Sequence, residues 1–212
     1  MMPKQPRAVF PGIAVPCPIT FAFPPNRETL GATAYLIVEN TGNILLDCPA
    51  WNPSNQEFLQ SQGGVRSLML THRGAIAQVA AIQEALNCEV IIQEQEAYLL
   101  PGVTVTPFQH RLELQAGLSL IWTSGHTPGS ACLYHPSGIL FTGRHLLPTP
   151  QGQLAPIRTA KTFHWPRQIQ SVRSLIQAFN PETLHGICPG GEPGVSAGGS
   201  PMLIRRTNDY GP

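Results

Sequence analysis

The sequence predicts an α/β fold in which two mixed sheets lie between helices, a four-layer αββα sandwich. Two observations favour it: short apolar runs alternate with helix formers in the first half, and short strands precede an amphipathic helix in the second. The length of 212 residues and the hydrophobic content of 42% fit one domain. We assign that domain to residues 1–191. Residues 192–212 are rich in Gly, Pro and Ser and are expected to form a flexible tail, in which Met202–Ile204 can dock.

The first half of the chain predicts a hairpin followed by a βαβ unit. Residues 1–31 are rich in proline and are expected to wrap over the surface, with Arg7–Ile13 as a candidate edge strand. Glu39–Gly42 separates two runs rich in branched residues, which is typical of a β-hairpin. The predicted elements are the strands Ala34–Val38 and Asn43–Asp47, the helix Pro53–Gln62, the strand Arg66–Thr71, the helix Ala75–Asn87 and the strand Glu89–Ile92.

The second half predicts mainly β-structure. Its last helix is amphipathic, because the apolar residues of Pro166–Phe179 recur about one turn apart. The predicted strands are Val103–Thr106, Leu112–Leu114, Leu118–Thr123, Ala131–Tyr134, Gly138–Thr142 and, after the helix, Thr183–Ile187.

The charge content excludes some classes of partner. Thirteen Lys and Arg against twelve Asp and Glu give a net charge of +1, so no basic field is present to attract nucleic acid. No run approaches the roughly 18 apolar residues of a membrane-spanning helix. Charged residues make up only 12% of the chain, which does little to prevent self-association. A homo-oligomer or an unidentified protein partner is therefore expected.

The five cysteines predict a reducing compartment. Their number is odd and they form no C-x-x-C pair, so a disulfide scaffold is not expected. Prolines interrupt the N-terminal apolar stretch, which therefore does not resemble a signal peptide. We expect the protein in the cytoplasm.

Residues capable of chemistry lie at the ends of predicted strands. The segments are Leu45–Pro49, Leu70–His72, Ser124–Ser130, Phe141–Arg144 and Cys188–Gly191. In this order they resemble the metallo-β-lactamase-fold hydrolases, which include hydroxyacylglutathione hydrolases and lactonases. The resemblance spans roughly residues 32 to 191, and Ser-Gly-His-Thr-Pro-Gly-Ser is its most specific part. It implies the αββα sandwich, a dinuclear metal centre and hydrolysis of a thioester, ester or lactone.

The metal-ligand positions of that family are mostly replaced here. The motif Thr-His-x-His-x-Asp-His falls on Thr71–Ala77, where the first histidine, His72, is kept. The histidine of Gly-His-Thr-Pro-Gly is kept as His126. The positions at which a ligand is lost are Gly74, Ile76, Ala77, Arg144 and Gly191.

These replacements predict that no dinuclear centre and no metal cofactor is bound. Catalytic zinc normally has three protein ligands, and two imidazoles are too few. Arg144 stands where a carboxylate would bridge two cations; at about 4 Å and an effective dielectric constant of about 20, each unit of like charge costs about 4 kcal/mol. The site is therefore interpreted as eroded and the protein as a non-catalytic pseudoenzyme used for binding, assembly or regulation.

Two arrangements of the remaining polar groups stay open. Arg144, His72, His126 and the N–H groups at the start of the Ala75 helix can form a site for a small anion. The favoured alternative is an internal ion pair of Arg144 with Asp47 or Glu192.

A third interpretation is that the site is rearranged and mononuclear and binds one Zn or Fe. Asp47, Cys48, Cys188 and His145 can each add a ligand to the two kept histidines. This reading makes the protein a metallo-hydrolase of a thioester, ester or lactone. The remaining histidines, His110, His135, His164 and His185, have no motif around them and are interpreted as surface or packing residues.

Overall fold

The computed structural model of the chain describes residues 5–10, 17–115, 117–179, 184–191 and 202–203. The helices are α1 (Pro53–Ser61), α2 (Val79–Leu86) and α3 (Trp165–Ala178). The strands are β1 (Arg7–Ala8), β2 (Ile19–Ala22), β3 (Tyr35–Val38), β4 (Ile44–Leu46), β5 (Ser67–Met69), β6 (Glu89–Gln93), β7 (Val105–Phe108), β8 (Arg111–Gln115), β9 (Leu118–Trp122), β10 (Ala131–His135), β11 (Ile139–Gly143), β12 (Leu147–Pro148), β13 (Leu154–Ala155), β14 (Gly186–Pro189) and β15 (Met202–Leu203).

The first sheet has the strand order β1-β2-β3-β4-β5-β6-β7. Neighbours from β1 to β4 run antiparallel, whereas those from β4 to β7 run parallel, with Leu45 opposite Leu68 in the β4–β5 pair. Parallel strands place their carboxyl ends at the same sheet edge, where ligand sites of α/β proteins form. The residues that follow β4 and β5 therefore meet.

The second sheet has the strand order β15-β14-β11-β10-β9-β8. β11 and β14 pair parallel, with Phe141 opposite Cys188, and the other pairs are antiparallel. The carboxyl ends of β11 and β14 consequently share one edge. β12 and β13 form a separate two-stranded ribbon.

The two sheets pack face to face and carry helices outside. Met69 of β5 and Phe141 of β11 belong to one buried cluster, which fills the space between the sheets. Leu59 of α1 and Ile82 of α2 pack in a second cluster on the outer face of the first sheet. Leu175 of α3 packs on the second sheet. The predicted α/β class and the four-layer αββα arrangement are confirmed.

The start of α2 differs from the prediction of a helix over Ala75–Asn87. Residues Arg73–Ala75 form a 3-10 turn, Ile76 is extended, and the α-helix begins at Val79. Two physical causes explain the difference. Ile76 packs against the core beneath the helices, and Gln78, which precedes the helix, makes no capping hydrogen bond, so no cap signal marks the boundary.

The proline-rich segment contains a strand that the sequence does not predict. Between the edge strand β1 and β3 lies β2, whose Thr20 and Ala22 are buried. Pro18 precedes this strand and Pro24 follows it, and the four residues of β2 retain every N–H that pairing on both sides requires. Residues 19–22 are thus part of the first sheet rather than a wrap over it.

The chain beyond residue 191 is described at one place. Met202–Leu203 form β15, which pairs antiparallel with β14 at the edge of the second sheet. The remainder of the predicted tail lies outside the described residues. None of the helices in the described ranges is long and apolar enough to cross a bilayer. All five cysteines are free thiols.

Candidate functional site

The loops that carry the motif residues meet at one edge of the sandwich. Direct backbone hydrogen bonds hold them together: Ala131 N donates to Thr71 O at 2.8 Å, across the two sheets, and Gly190 N donates to Gly143 O at 2.6 Å. The loop that precedes α3 closes over this edge, because Phe163 N donates to His126 O at 2.9 Å. Segments distant in sequence are therefore fixed around one cavity.

The cavity has a volume of about 400 Å³ and a strongly cationic wall. Arg73, Arg144 and Lys161 come from three different loops, and no described lining residue carries a carboxylate. The lining residues are Leu30, His72, Arg73, Gly74, His126, Thr127, Arg144 and residues 160–163. Such a cavity favours negatively charged ligands.

The two kept histidines lie in the cavity wall and are almost fully buried. His72 is 2% and His126 4% exposed, and their ring centroids are 5.5 Å apart. Burial, the neighbouring His126 and Arg144 lower the pKa of His72 well below its ordinary value. Burial, Arg144 and Arg73 lower the pKa of His126 to about 4. Both rings are therefore neutral at neutral pH.

One nitrogen of each ring is buried with no hydrogen-bond partner among the described residues. These atoms are Nε2 of His72 and Nδ1 of His126. Buried polar atoms in native proteins are normally satisfied, so these two nitrogens are candidates for contact with a ligand.

His72 is oriented by a chain of hydrogen bonds that starts at Asp47. The Thr71 backbone N–H donates to Asp47 Oδ1 at 2.7 Å, and the Thr71 hydroxyl donates to Asp47 Oδ2 at 2.7 Å. The Thr71 hydroxyl oxygen lies 3.0 Å from His72 Nδ1. Burial raises the pKa of the Asp47 carboxyl to about 7, opposed by the bonds from Thr71 and by the charge of Arg144.

Asp47 adopts an uncommon backbone conformation to reach this position. Its φ of +61° lies in the left-handed region, which non-glycine residues other than Asn and Asp rarely adopt. Residues held in such conformations cluster at functional sites.

Arg144 does not form the ion pair with Asp47 that the sequence suggested. Its Nη2 donates to the carbonyls of Leu30 and Thr29, the latter at 3.4 Å. No salt bridge among the described residues includes Arg144. The Asp47 carboxylate accepts from Thr71 at both oxygens, and Arg144 donates to main-chain carbonyls instead. Glu192, the other predicted partner, lies outside the described residues.

The Arg144 side chain retains capacity for a ligand. Its Nε is buried and has no partner in the described part of the chain. Asp47 interacts with it only as a nearby charge, which raises the pKa of Arg144 while burial lowers it more strongly.

The N–H groups predicted to point into the site from the Ala75 helix are not available. Ala75 N donates to His72 O at 2.9 Å, and Ile76 N donates to Arg73 O at 3.3 Å, within the 3-10 turn. That part of the predicted anion site is wrong, because α2 begins later than the sequence suggested.

The weaker metal-ligand candidates are all buried, and the two cysteines among them lie in apolar clusters. Cys48 is buried in the cluster beneath α1 and α2, and Cys188 is buried between the sheets. Burial raises the pKa of the Cys48 thiol to about 12 and that of Cys188 well above its ordinary value, so both are protonated and inert at neutral pH. His145 is 1% exposed; burial, followed by the nearby His126, lowers its pKa to about 3.

The side chains present do not fit the metal centre that the fold family implies. The cavity wall contains two imidazoles, His72 and His126, and its charged side chains, Arg73, Arg144 and Lys161, are cations. Zinc in proteins takes four ligands, and its catalytic sites use three from the protein.

The two glycines at former ligand positions lie beside the unpaired nitrogens of His72 and Arg144. A Cβ at Gly74 would lie 3.2 Å from His72 Nε2, and one at Gly191 would lie 4.0 Å from Arg144 Nε. A side chain at residue 74, which lines the cavity, would therefore crowd His72, and the absence of one leaves this part of the wall open.

Sequence reasoning missed three contributors to this site. Thr71 was read only as part of the motif, although it connects Asp47 to His72. Arg73 occupies the variable position next to His72, where a charge could have been noticed. Lys161 has no local signal, since its loop reaches the cavity only through the bond between Phe163 and His126.

Solved structures resemble this one over most of its length. VMB-1 aligns with a TM-score of 0.70 at 15% sequence identity, covering 96% of this chain and 94% of that one. BLEG-1, a B3 metallo-beta-lactamase, aligns with a TM-score of 0.66 at 18% identity, covering 88% and 94%. The chain has the metallo-β-lactamase superfamily fold.

A third similar structure of this fold is TTHA1623 in a di-iron-bound form. It aligns with a TM-score of 0.63 at 23% identity, covering 89% of this chain and 99% of that one. By sequence, no protein-family model and no curated protein matches the chain. The fold expected from the motif resemblance is thus confirmed, whereas activity has to be argued from the site itself.

Proposed function

We propose that this chain is a non-catalytic protein of the metallo-β-lactamase fold that binds a small anion in the cavity at the sheet edge. The observation that supports the proposal is the charge of the wall. Arg73, Arg144 and Lys161 line it, the two imidazoles are neutral, and no described lining residue is acidic.

The electrostatics of this wall oppose a divalent cation. A unit charge about 4 Å from another of the same sign costs about 4 kcal/mol at an effective dielectric constant of about 20. In the di-iron-bound form of TTHA1623 the same fold holds two metal ions. Here Arg144 stands at the position of the expected bridging carboxylate, and its charge attracts anions instead.

An anion would also satisfy groups that are otherwise unpaired. Arg144 Nε is buried without a partner, and a hydrogen bond from a charged donor to an anion contributes about 1.5–3 kcal/mol. The cavity volume of about 400 Å³ accommodates a small molecule.

Calorimetric titration with phosphate, sulfate and acetate tests the proposal. We expect saturable binding of at least one of these anions, weakened by about tenfold or more in Arg144→Met, since the variant loses a charge-assisted hydrogen bond. Arg173→Met is the matched control: Arg173 is exposed on α3, outside the cavity wall, and its loss should leave affinity unchanged. Arg144→Met also loses the hydrogen bonds to the carbonyls of Leu30 and Thr29 and the nearby charge of Asp47, so its unfolding free energy should fall by about 1–3 kcal/mol.

The competing function is hydrolysis of a thioester, ester or lactone at a rearranged mononuclear site. A panel of such substrates, assayed with added zinc or iron, distinguishes it. Turnover above buffer that is lost in both His72→Ala and His126→Ala would overturn the proposal. Absence of saturable binding of any of the three anions would overturn it as well.

A further inference from the structure

We propose that the anion bound in this cavity carries a hydrogen on one of its own oxygens, with hydrogen phosphate as the simplest case. The inference rests on the proposed function and specifies its ligand. The hydrogen-bond chain Asp47–Thr71–His72 supports it, together with the orphaned Nε2 of His72.

The hydrogens along this chain can be assigned one at a time. Asp47 accepts at both oxygens, from the backbone N–H and from the hydroxyl of Thr71. A hydroxyl has one hydrogen, and that of Thr71 is directed to Asp47. At its 3.0 Å contact with His72 Nδ1, the Thr71 oxygen must therefore accept, so Nδ1 carries the ring hydrogen.

The tautomer of the neutral ring follows from this assignment. A neutral imidazole has one N–H and one lone pair, and the pairing at Nδ1 leaves the lone pair on Nε2. His72, which lines the cavity, is therefore a hydrogen-bond acceptor at Nε2. It is an acceptor in a wall whose charged members, Arg73, Arg144 and Lys161, are all donors.

The hydrogen-bond chain Asp47–Thr71–His72 is held rigidly. Asp47 and Thr71 are each 1% exposed, and Asp47 adopts its left-handed conformation at this point. Because Gly143 has no side chain, the Thr71 hydroxyl fits beside it; a Cβ at residue 143 would lie 2.5 Å from Thr71 Oγ1. No described hydrogen bond fixes the His126 ring in the same way, so that ring can adapt to a ligand as donor or acceptor.

An acceptor of this kind distinguishes between anions of similar shape. Hydrogen phosphate donates its hydrogen to Nε2 while its other oxygens accept from the cationic side chains. Sulfate has no hydrogen at neutral pH, so its oxygen would face the Nε2 lone pair and leave that buried atom unpaired. From the cost of an unmet buried acceptor, we expect phosphate to bind about ten- to a hundredfold more tightly than sulfate.

Titration of the intact protein with phosphate and sulfate at about pH 8 tests the selectivity. This pH lies above the pKa of about 7 that burial gives the Asp47 carboxyl, so the carboxylate is ionised and accepts from Thr71. Both anions carry close to two negative charges under these conditions. Methyl phosphate is the third probe, because its dianion lacks an oxygen-bound hydrogen and should bind as weakly as sulfate. Selectivity for phosphate supports the inference. The inference is overturned if phosphate and sulfate bind within about threefold of each other, or if methyl phosphate binds as tightly as phosphate. Either of these results leaves the proposed function standing.

A second measurement addresses the tautomer directly. Long-range ¹H–¹⁵N NMR correlations of His72 should show a protonated Nδ1 and an unprotonated Nε2; the opposite pattern overturns the inference whatever the affinities.

Thr71→Ser keeps the hydroxyl and should keep the selectivity, and Thr71→Val removes it and should lose the selectivity. If phosphate, sulfate and methyl phosphate all fail to bind, the assignment of hydrogen phosphate is wrong. Acetate binding then decides whether the proposed function survives.

Discussion

At the scale of single residues, Arg144 and its neighbours set the charge of the cavity wall. Arg144 donates to the carbonyls of Leu30 and Thr29 and carries its charge beside two neutral imidazoles. The Asp47 carboxylate, which could have neutralised it, is engaged by Thr71. No salt bridge with Asp47 forms, and Glu192 lies outside the described residues, so within the described part of the chain the charge of Arg144 has no salt-bridge partner.

The buried histidines also make stability depend on pH. Burial and the nearby His126 lower the pKa of His145 to about 3, so in the folded state this ring stays neutral down to low pH. In the unfolded chain it takes up a proton near its ordinary pKa of about 6.5. Its contribution to stability is therefore complete above about pH 6.5 and is lost as the pH falls toward about 3.

The variant His145→Gln is expected to lose less stability on acidification than the wild type. Within this window the wild-type free energy of unfolding should fall more steeply, by up to about 1.4 kcal/mol per pH unit. Chemical denaturation between pH 7 and pH 4 measures the difference. The raised pKa of Asp47 increases the free energy of unfolding as the pH falls below about 7, which is the opposite effect, but it is common to both proteins. His110→Gln, at an exposed position, is the control, and an identical pH dependence of His145→Gln and wild type would contradict the account.

At the scale of elements, the site depends on the turn after β11. Gly143 ends that strand with a φ of +50°, and its Cα packs against the side chain of Thr71. This close approach lets Arg144 and His72 face the same cavity from different sheets.

Gly143→Ala is expected to destabilise the protein more than Gly152→Ala. Both glycines have positive φ, +50° and +81°, so both variants incur backbone strain. Only at Gly143 would the new Cβ meet another group, Thr71 Oγ1 at 2.5 Å, whereas nothing lies within 4 Å at Gly152. The additional steric cost should be about 1–3 kcal/mol, measured as the difference in unfolding free energy. Equal destabilisation would show that the contact with Thr71 is not important.

Local patterns predicted most elements, and the misses have physical causes. The hairpin β3–β4, the parallel strands and α3 follow from apolar periodicity and turn residues, which are local signals. β2 was missed because prolines on both sides suggested an extended wrap, although its four residues keep their N–H groups. The start of α2 was misplaced because Ala75, Ile76 and Ala77 favour a helix locally, whereas packing of Ile76 on the core overrides that preference.

At the scale of the whole molecule, the fold was predictable and the site only in part. Glycine-containing turns at strand ends preserve the order of the family's loops, so the fold was identifiable although identity to the similar structures reported above is 15–23%. His72, His126 and Arg144 were found because they occupy motif positions. The contribution of Lys161 could not be predicted, because it depends on how a distant loop folds over His126.

The net charge of the chain conceals the character of the cavity. A net charge of +1 gives no indication of anion binding, yet three cationic side chains from separate loops converge on one wall. Tertiary structure, not composition, creates this local field. We therefore propose that the cavity attracts anions and excludes divalent cations.

Metal content measured by mass spectrometry tests that claim most directly. The full-length protein should be purified without chelator or metal-affinity resin, so that any native ion is retained and none is introduced. We predict no stoichiometric zinc, iron or manganese. One or two tightly held equivalents that disappear in both His72→Ala and His126→Ala would contradict the account and assign the cavity to metal-dependent chemistry.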